Sequence, residues 1–113
     1  MIEVVEHLRK PWEELSEIHQ SLEKGGELLL TTPNLKGLNA QLMRSKWREI
    51  NQPTHVILFE KKTLKNLLMK VGFKNIRFIR FYPVAGDSRL KRVKIFLNQL
   101  FGFHGGICVI ATK

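Results

Sequence analysis

The chain has 113 residues, 43% hydrophobic and 26% charged, which is enough for one small domain with a modest core. Its lone cysteine, Cys108, excludes an internal disulfide framework and a thiolate zinc site, and fits a reducing cytoplasm. No apolar run reaches the length of a membrane span, and the charged start MIEVVEHLRK does not read as a secretory signal.

The net charge of +9 is divided unevenly. Residues 1–60 hold 7 Lys/Arg against 9 Asp/Glu, whereas residues 61–113 hold 12 Lys/Arg against Asp87 alone. Such a half is either a solvated basic face or a surface for an anionic partner.

Residues 1–5 read as the tail of a strand. A helix is predicted from Pro11 to about Glu23. Proline suits its first position, Glu13 and Glu14 complement its dipole, and Trp12, Leu15, Ile18 and Leu22 form one stripe. Gly25-Gly26 ends it. Leu28-Leu29-Leu30-Thr31-Thr32 is a continuous apolar run, expected as a strand covered on both faces and stopped by Pro33-Asn34. Leu38, Leu42 and Met43 fit a short helix before Trp47 and a turn at Gln52–His55. A further helix is predicted over Lys61–Val71, with Leu64, Leu67, Leu68 and Val71 on one side and Gly72 as cap. Asn75–Tyr82 alternates as a strand, and a loop follows at 83–88. Arg89–Phe101 is expected as an amphipathic basic helix, and Ile107–Thr112 as the last strand. His19 and His104 read as structural and loop residues, and Cys108 as a small apolar group.

Four segments in order give this string a resemblance. They are Glu3-Val4-Val5-Glu6-His7-Leu8 with Pro11; Leu22-Glu23-Lys24-Gly25-Gly26-Glu27-Leu28-Leu29-Leu30-Thr31-Thr32-Pro33-Asn34; His55–Phe59 leading into Thr63–Leu68; and Val71-Gly72-Phe73. Together they resemble the C-terminal half of class I S-adenosylmethionine-dependent methyltransferases of the small-molecule type, similar to the ubiquinone-biosynthesis O-methyltransferases. The resemblance implies an α/β, incomplete Rossmann-like sheet, mostly parallel with its last strand antiparallel and helices on its faces. Residues 1–113 would form a single partial domain, with insertions at 35–58 and 83–104. The first strand would be the family's fourth, and the final pair its sixth and seventh.

The same resemblance implies methyl transfer from S-adenosylmethionine to a small-molecule or envelope-type acceptor. It also places the donor-binding glycine loop in a segment these residues do not contain. Gly25-Gly26 and Gly105-Gly106 each precede a strand, whereas a nucleotide-gripping loop follows one and opens a helix. The isolated chain is therefore expected to be inactive alone, completed by a missing N-terminal half or by self-association through an open sheet edge.

Ligands in such sheets gather at the carboxyl ends of the strands. His7 is the candidate base, since a free imidazole titrates at about 6.5. Ile2 is the expected donor contact. Pro33, Asn34, Trp47 and His55 are the expected acceptor contacts. Glu3, Glu6 and His7 resemble a magnesium-binding Glu-x-x-Glu-His pattern, which needs a helical turn at 3–7 to converge; an extended start would separate the two carboxylates. The rival readings are a basic module binding nucleic acid or an anionic membrane surface, and an interaction subunit. No motif of a nucleic-acid fold accompanies the basic residues.

Overall fold

A computed structural model describes residues 1–79 and 106–113. The helix expected at 89–101, its basic residues, the 83–104 insertion and His104 lie outside the described residues.

Three strands form one sheet in the order β1 (Glu27–Pro33), β3 (Gly106–Thr112), β2 (Lys74–Ile79). β3 runs antiparallel to both neighbours, so β1 and β2 point the same way. Beyond β1, Ile2 makes a single parallel bridge to Thr31. Both ladders of the three strands are thus antiparallel, and among the described residues parallel pairing is confined to isolated bridges, Ile2↔Thr31 and Asn34↔Phe59. β1 and β3 pair without interruption from Glu27↔Thr112 to Pro33↔Gly106. The β2–β3 register slips between Lys74 and Arg77, where Asn75 has a positive φ of 45°. Such a slip and a left-handed residue are the signature of a bulge.

Helix α1 covers Pro11–Ser21, two residues short of the expected end. Leu15 is fully buried and Pro11 is buried, but Trp12 is 49% exposed, so the stripe runs through Pro11 and not Trp12. Its C-terminal carbonyls are closed by the Lys113 ammonium, which donates to Leu22 O at 2.6 Å and Gln20 O at 3.0 Å. Helix α3 covers Lys61–Val71, as its apolar spacing predicts, and buries Leu64 and Leu68. Gly72 ends it with φ 117°.

An added Cβ at Gly72 would sit 3.1 Å from the His19 ring, which itself packs edge-on against Phe73. Gly72→Ala is therefore expected to destabilise the fold by about 1–2 kcal/mol, through backbone conformation and this contact. Urea unfolding measures it; an unchanged midpoint would show that the turn relaxes freely.

The core lies on one face of the sheet, where Leu28, Leu30, Ile107, Val109 and Ala111 meet Leu15, Leu64, Leu68, Phe59 and Phe73. Leu29, pointing the other way, is 37% exposed, so the expectation of cover on both faces of β1 holds only from Leu30 onward. Between β1 and α3, residues 35–58 contain helix α2 (Leu38–Met43) and a 3₁₀ turn at Arg44–Lys46. No helix among the described residues is long and apolar enough to cross a membrane.

Candidate functional site at the strand ends

The start of the chain turns where a strand was expected to continue. Ile2 pairs with Thr31, Glu3 takes φ 49°, and Val5–His7 closes into a 3₁₀ turn. Positive φ at a non-glycine residue ends the extended run, and the turn redirects Glu6 inward and His7 outward. Glu6 is fully buried and His7 is exposed.

Glu6 organises the strand ends. Its backbone oxygen accepts Val56 N–H at 2.8 Å and Ile57 N–H at 3.1 Å, tying the end of the 35–58 segment to the turn. Its carboxylate Oε2 accepts the Thr32 hydroxyl at 2.9 Å, and Oε1 has no partner among the described residues. Thr32 is itself fully buried in β1. Thr32→Val would leave the buried carboxylate without that donor, at an expected cost of about 2 kcal/mol. Denaturant unfolding tests this, and a loss near zero would mean that Oε2 finds another donor.

The backbone tie brings His55 over His7. Their rings meet edge-on with centroids 4.8 Å apart. His7 Nδ1 lies 2.9 Å from Thr54 O, and His55 Nδ1 lies 2.9 Å from Glu49 O. A carbonyl oxygen only accepts, so both Nδ1 atoms carry a proton, and in the neutral ring Nε2 holds the lone pair. The His55 side chain is only 7% exposed, and Glu49 Oε2 stands 3.7 Å from its Nδ1. One ligand-type atom from each of Glu6, His7 and His55 lies within 4.8 Å of the others.

Glu3 is close enough to feel the cluster without joining that group. Partial desolvation raises its carboxyl pKa, the charges of Glu6 and Glu49 push the same way, and the Thr31 hydroxyl opposes them. The donor set that converges therefore has one carboxylate and two imidazoles. Magnesium prefers oxygen ligands in near-ideal octahedral geometry, so these residues do not fit it.

The other expected contacts are scattered. Pro33 is buried at the end of β1, paired with Gly106. Asn34 is half-buried, and its Oδ1 accepts Lys36 N–H at 3.1 Å, which leaves its amide to donate. It also bridges Phe59 and lines an open cleft of about 400 Å³ with Lys36, Glu60, Lys61 and Lys62. Within that cleft the Lys36 ammonium, 2.7 Å away, holds the Glu60 carboxyl below its ordinary value. Trp47 is 4% exposed and serves as packing. Ile2 is 51% exposed beside its bridge to Thr31. Burial pushes the Cys108 thiol up, which suits a packing role and not a nucleophile.

Sequence reasoning did not single out Thr32, Glu49 or Thr54. Thr32 read as the end of a strand, and two backbone carbonyls leave no mark in a sequence. Among the described residues no glycine-rich loop joins a strand to a helix; the β1–α2 connection has Gly37 alone.

Residues 1–77 match a family model described as a methyltransferase domain. The chain belongs to that methyltransferase domain family. Its fold is similar to that of a SAM-dependent methyltransferase from Archaeoglobus fulgidus, with TM-score 0.68 and 19% identity, covering 100% of this chain and 57% of that one. It is similar also to a SAM-dependent methyltransferase from Thermotoga maritima, described as a possible histamine N-methyltransferase. There the TM-score is 0.66 and the identity 16%, over 100% of this chain and 53% of that one. The methyltransferase chain here thus spans a little over half the length of these structures. No curated protein matches the sequence.

Proposed function

We propose that this chain forms the acceptor side of an S-adenosylmethionine-dependent methyl transfer, with a small-molecule acceptor held at the carboxyl ends of the Ile2 segment and β1. The observation that supports it is the pairing of His7 and His55, each with Nδ1 held by a carbonyl and Nε2 left to accept a proton.

S-adenosylmethionine supplies an already activated methyl group, so the protein's task is to hold the acceptor in line and take its proton. His7 Nε2, on the exposed ring, is the proton-accepting atom. His55 fixes the ring edge-on, and the Asn34 amide offers a donor to the acceptor. The rival basic-module reading draws much of its charge from residues 80–105, which lie outside the described residues.

The test is calorimetric titration of the protein that carries this chain with S-adenosylhomocysteine, followed by label transfer from the methyl donor into a small-molecule extract. Product binding together with label incorporation supports the reading. A folded protein that binds oligonucleotide in a salt-sensitive way and transfers no label would replace it with the basic module.

A further inference from the structure

Glu6 is the one buried charged side chain among the described residues, and its carboxylate is half satisfied. Oε2 has the Thr32 hydroxyl, while Oε1 is sealed from solvent without a donor among the described residues. Native folds rarely leave such an atom unpaired, and a bound ion is one of the few explanations. Two imidazoles stand within 4.8 Å of the carboxylate, each oriented by an Nδ1–H bond to a backbone carbonyl that leaves Nε2 of the neutral ring free to ligate. Metal-ligating histidines are commonly held in this way, by a second hydrogen bond that fixes the tautomer and the ring.

We propose that Glu6, His7 and His55 bind one divalent ion of borderline softness, zinc fitting best, at the acceptor end of the site. The ligand set is not the Glu3, Glu6, His7 pattern read from the sequence. His55 enters from the 35–58 segment, and Glu3 stands outside the converging group. One carboxylate with two imidazoles suits zinc or a neighbouring transition metal and not a hard oxygen-seeking ion. The present separations, up to 4.8 Å, exceed the roughly 3.3 Å between donors that zinc bonds near 2.0 Å imply. Glu6 and His55 are anchored, so the exposed His7 ring makes the adjustment.

Three protein ligands leave a fourth position open, as catalytic zinc sites do. An acceptor group bound at that position would have its pKa lowered by the ion. In the loaded protein His7 would be a ligand, and the proton of the acidified acceptor group would leave to solvent water. The role of the ion rests on the acceptor-side reading above; its binding does not.

The experiment uses the protein carrying this chain, stripped of metal by a chelator. It is titrated with Co²⁺, whose visible bands report coordination, and then with Zn²⁺ as competitor and Mg²⁺ as control. One ion per chain is expected, displaced by Zn²⁺ and not by Mg²⁺. His55→Ala and Glu6→Gln should each weaken binding at least tenfold. His7→Gln, at an exposed position, provides a variant whose folding is not in question, and it should weaken binding similarly. No bands, or binding unchanged in His7→Gln, or displacement by Mg²⁺, would overturn the proposal. Label transfer that persists in the chelated protein with no ion bound would overturn the ion's role in the transfer and leave the acceptor-side reading intact. Ion binding in a protein that never transfers methyl would sink that reading and leave the metal site standing.

Discussion

His7→Gln should lower kcat/KM for methyl transfer by about 10²–10⁴, the range that a positioned proton acceptor contributes. The tie it gives up, from Nδ1 to the Thr54 carbonyl at 2.9 Å, is a single exposed bond that glutamine need not reproduce. The variant also loses the lone pair at Nε2. Because His7 is exposed, stability should change by no more than about 0.5 kcal/mol. The split between lost turnover and retained stability separates a chemical role from a packing one. Equal losses in both, followed by urea unfolding and initial rates, would mean that His7 merely holds the loop.

Leu30→Ala should cost about 3 kcal/mol. Leu30 is fully buried at the centre of β1, opposite Val109, and belongs to the cluster that includes Leu15, Leu64 and Leu68. Removing its isobutyl group loses the transfer free energy of those atoms and opens a cavity between strand and helices that cannot collapse fully. The neighbours Thr31 and Thr32 carry the strand-end contacts to Glu3 and Glu6, so methyl transfer should fall along with stability. Chemical denaturation gives the number directly. A loss under 1 kcal/mol would show that the sheet and the helices are not packed as one core around this residue.

Local patterns carried much of the fold. Helix α3 is written in the spacing of Leu64 and Leu68 and in the glycine that follows, because an amphipathic stripe and a left-handed cap are both local properties. Pro11 marked the start of α1 for the same reason. The stripe was misplaced by one residue at Trp12, since Pro11 and Trp12 both fall on the arc that faces the core and only packing decides between them. The insertion of β3 between β1 and β2 is a non-local pairing. The resemblance implied that the last strand runs antiparallel, and no feature of Ile107–Thr112 itself says between which strands it sits.

The site was legible in its parts and not in its assembly. His7 and His55 each stood out as residues near a strand end or in an insertion, 48 positions apart, with no periodicity to relate them. What joins them is a pair of backbone hydrogen bonds from Val56 and Ile57 to the Glu6 carbonyl, and such bonds are open to any sequence. The Glu-x-x-Glu-His pattern spans the turn, whereas the group that converges there is Glu6, His7 and His55. Its helical reading depended on residues 3–7, where Glu3 leaves the extended region and the 3₁₀ turn begins only at Val5.

The central claim is that methyl transfer takes place over the His7–His55 pair. It is tested most directly by measuring label transfer from S-adenosylmethionine in His7→Gln, in His55→Gln, and in His19→Gln, a histidine packed against Phe73 away from the strand ends. The account predicts losses of about 10²-fold or more in the first two and near-full activity in the third. Activity retained in both strand-end variants, or lost equally in all three, would contradict it.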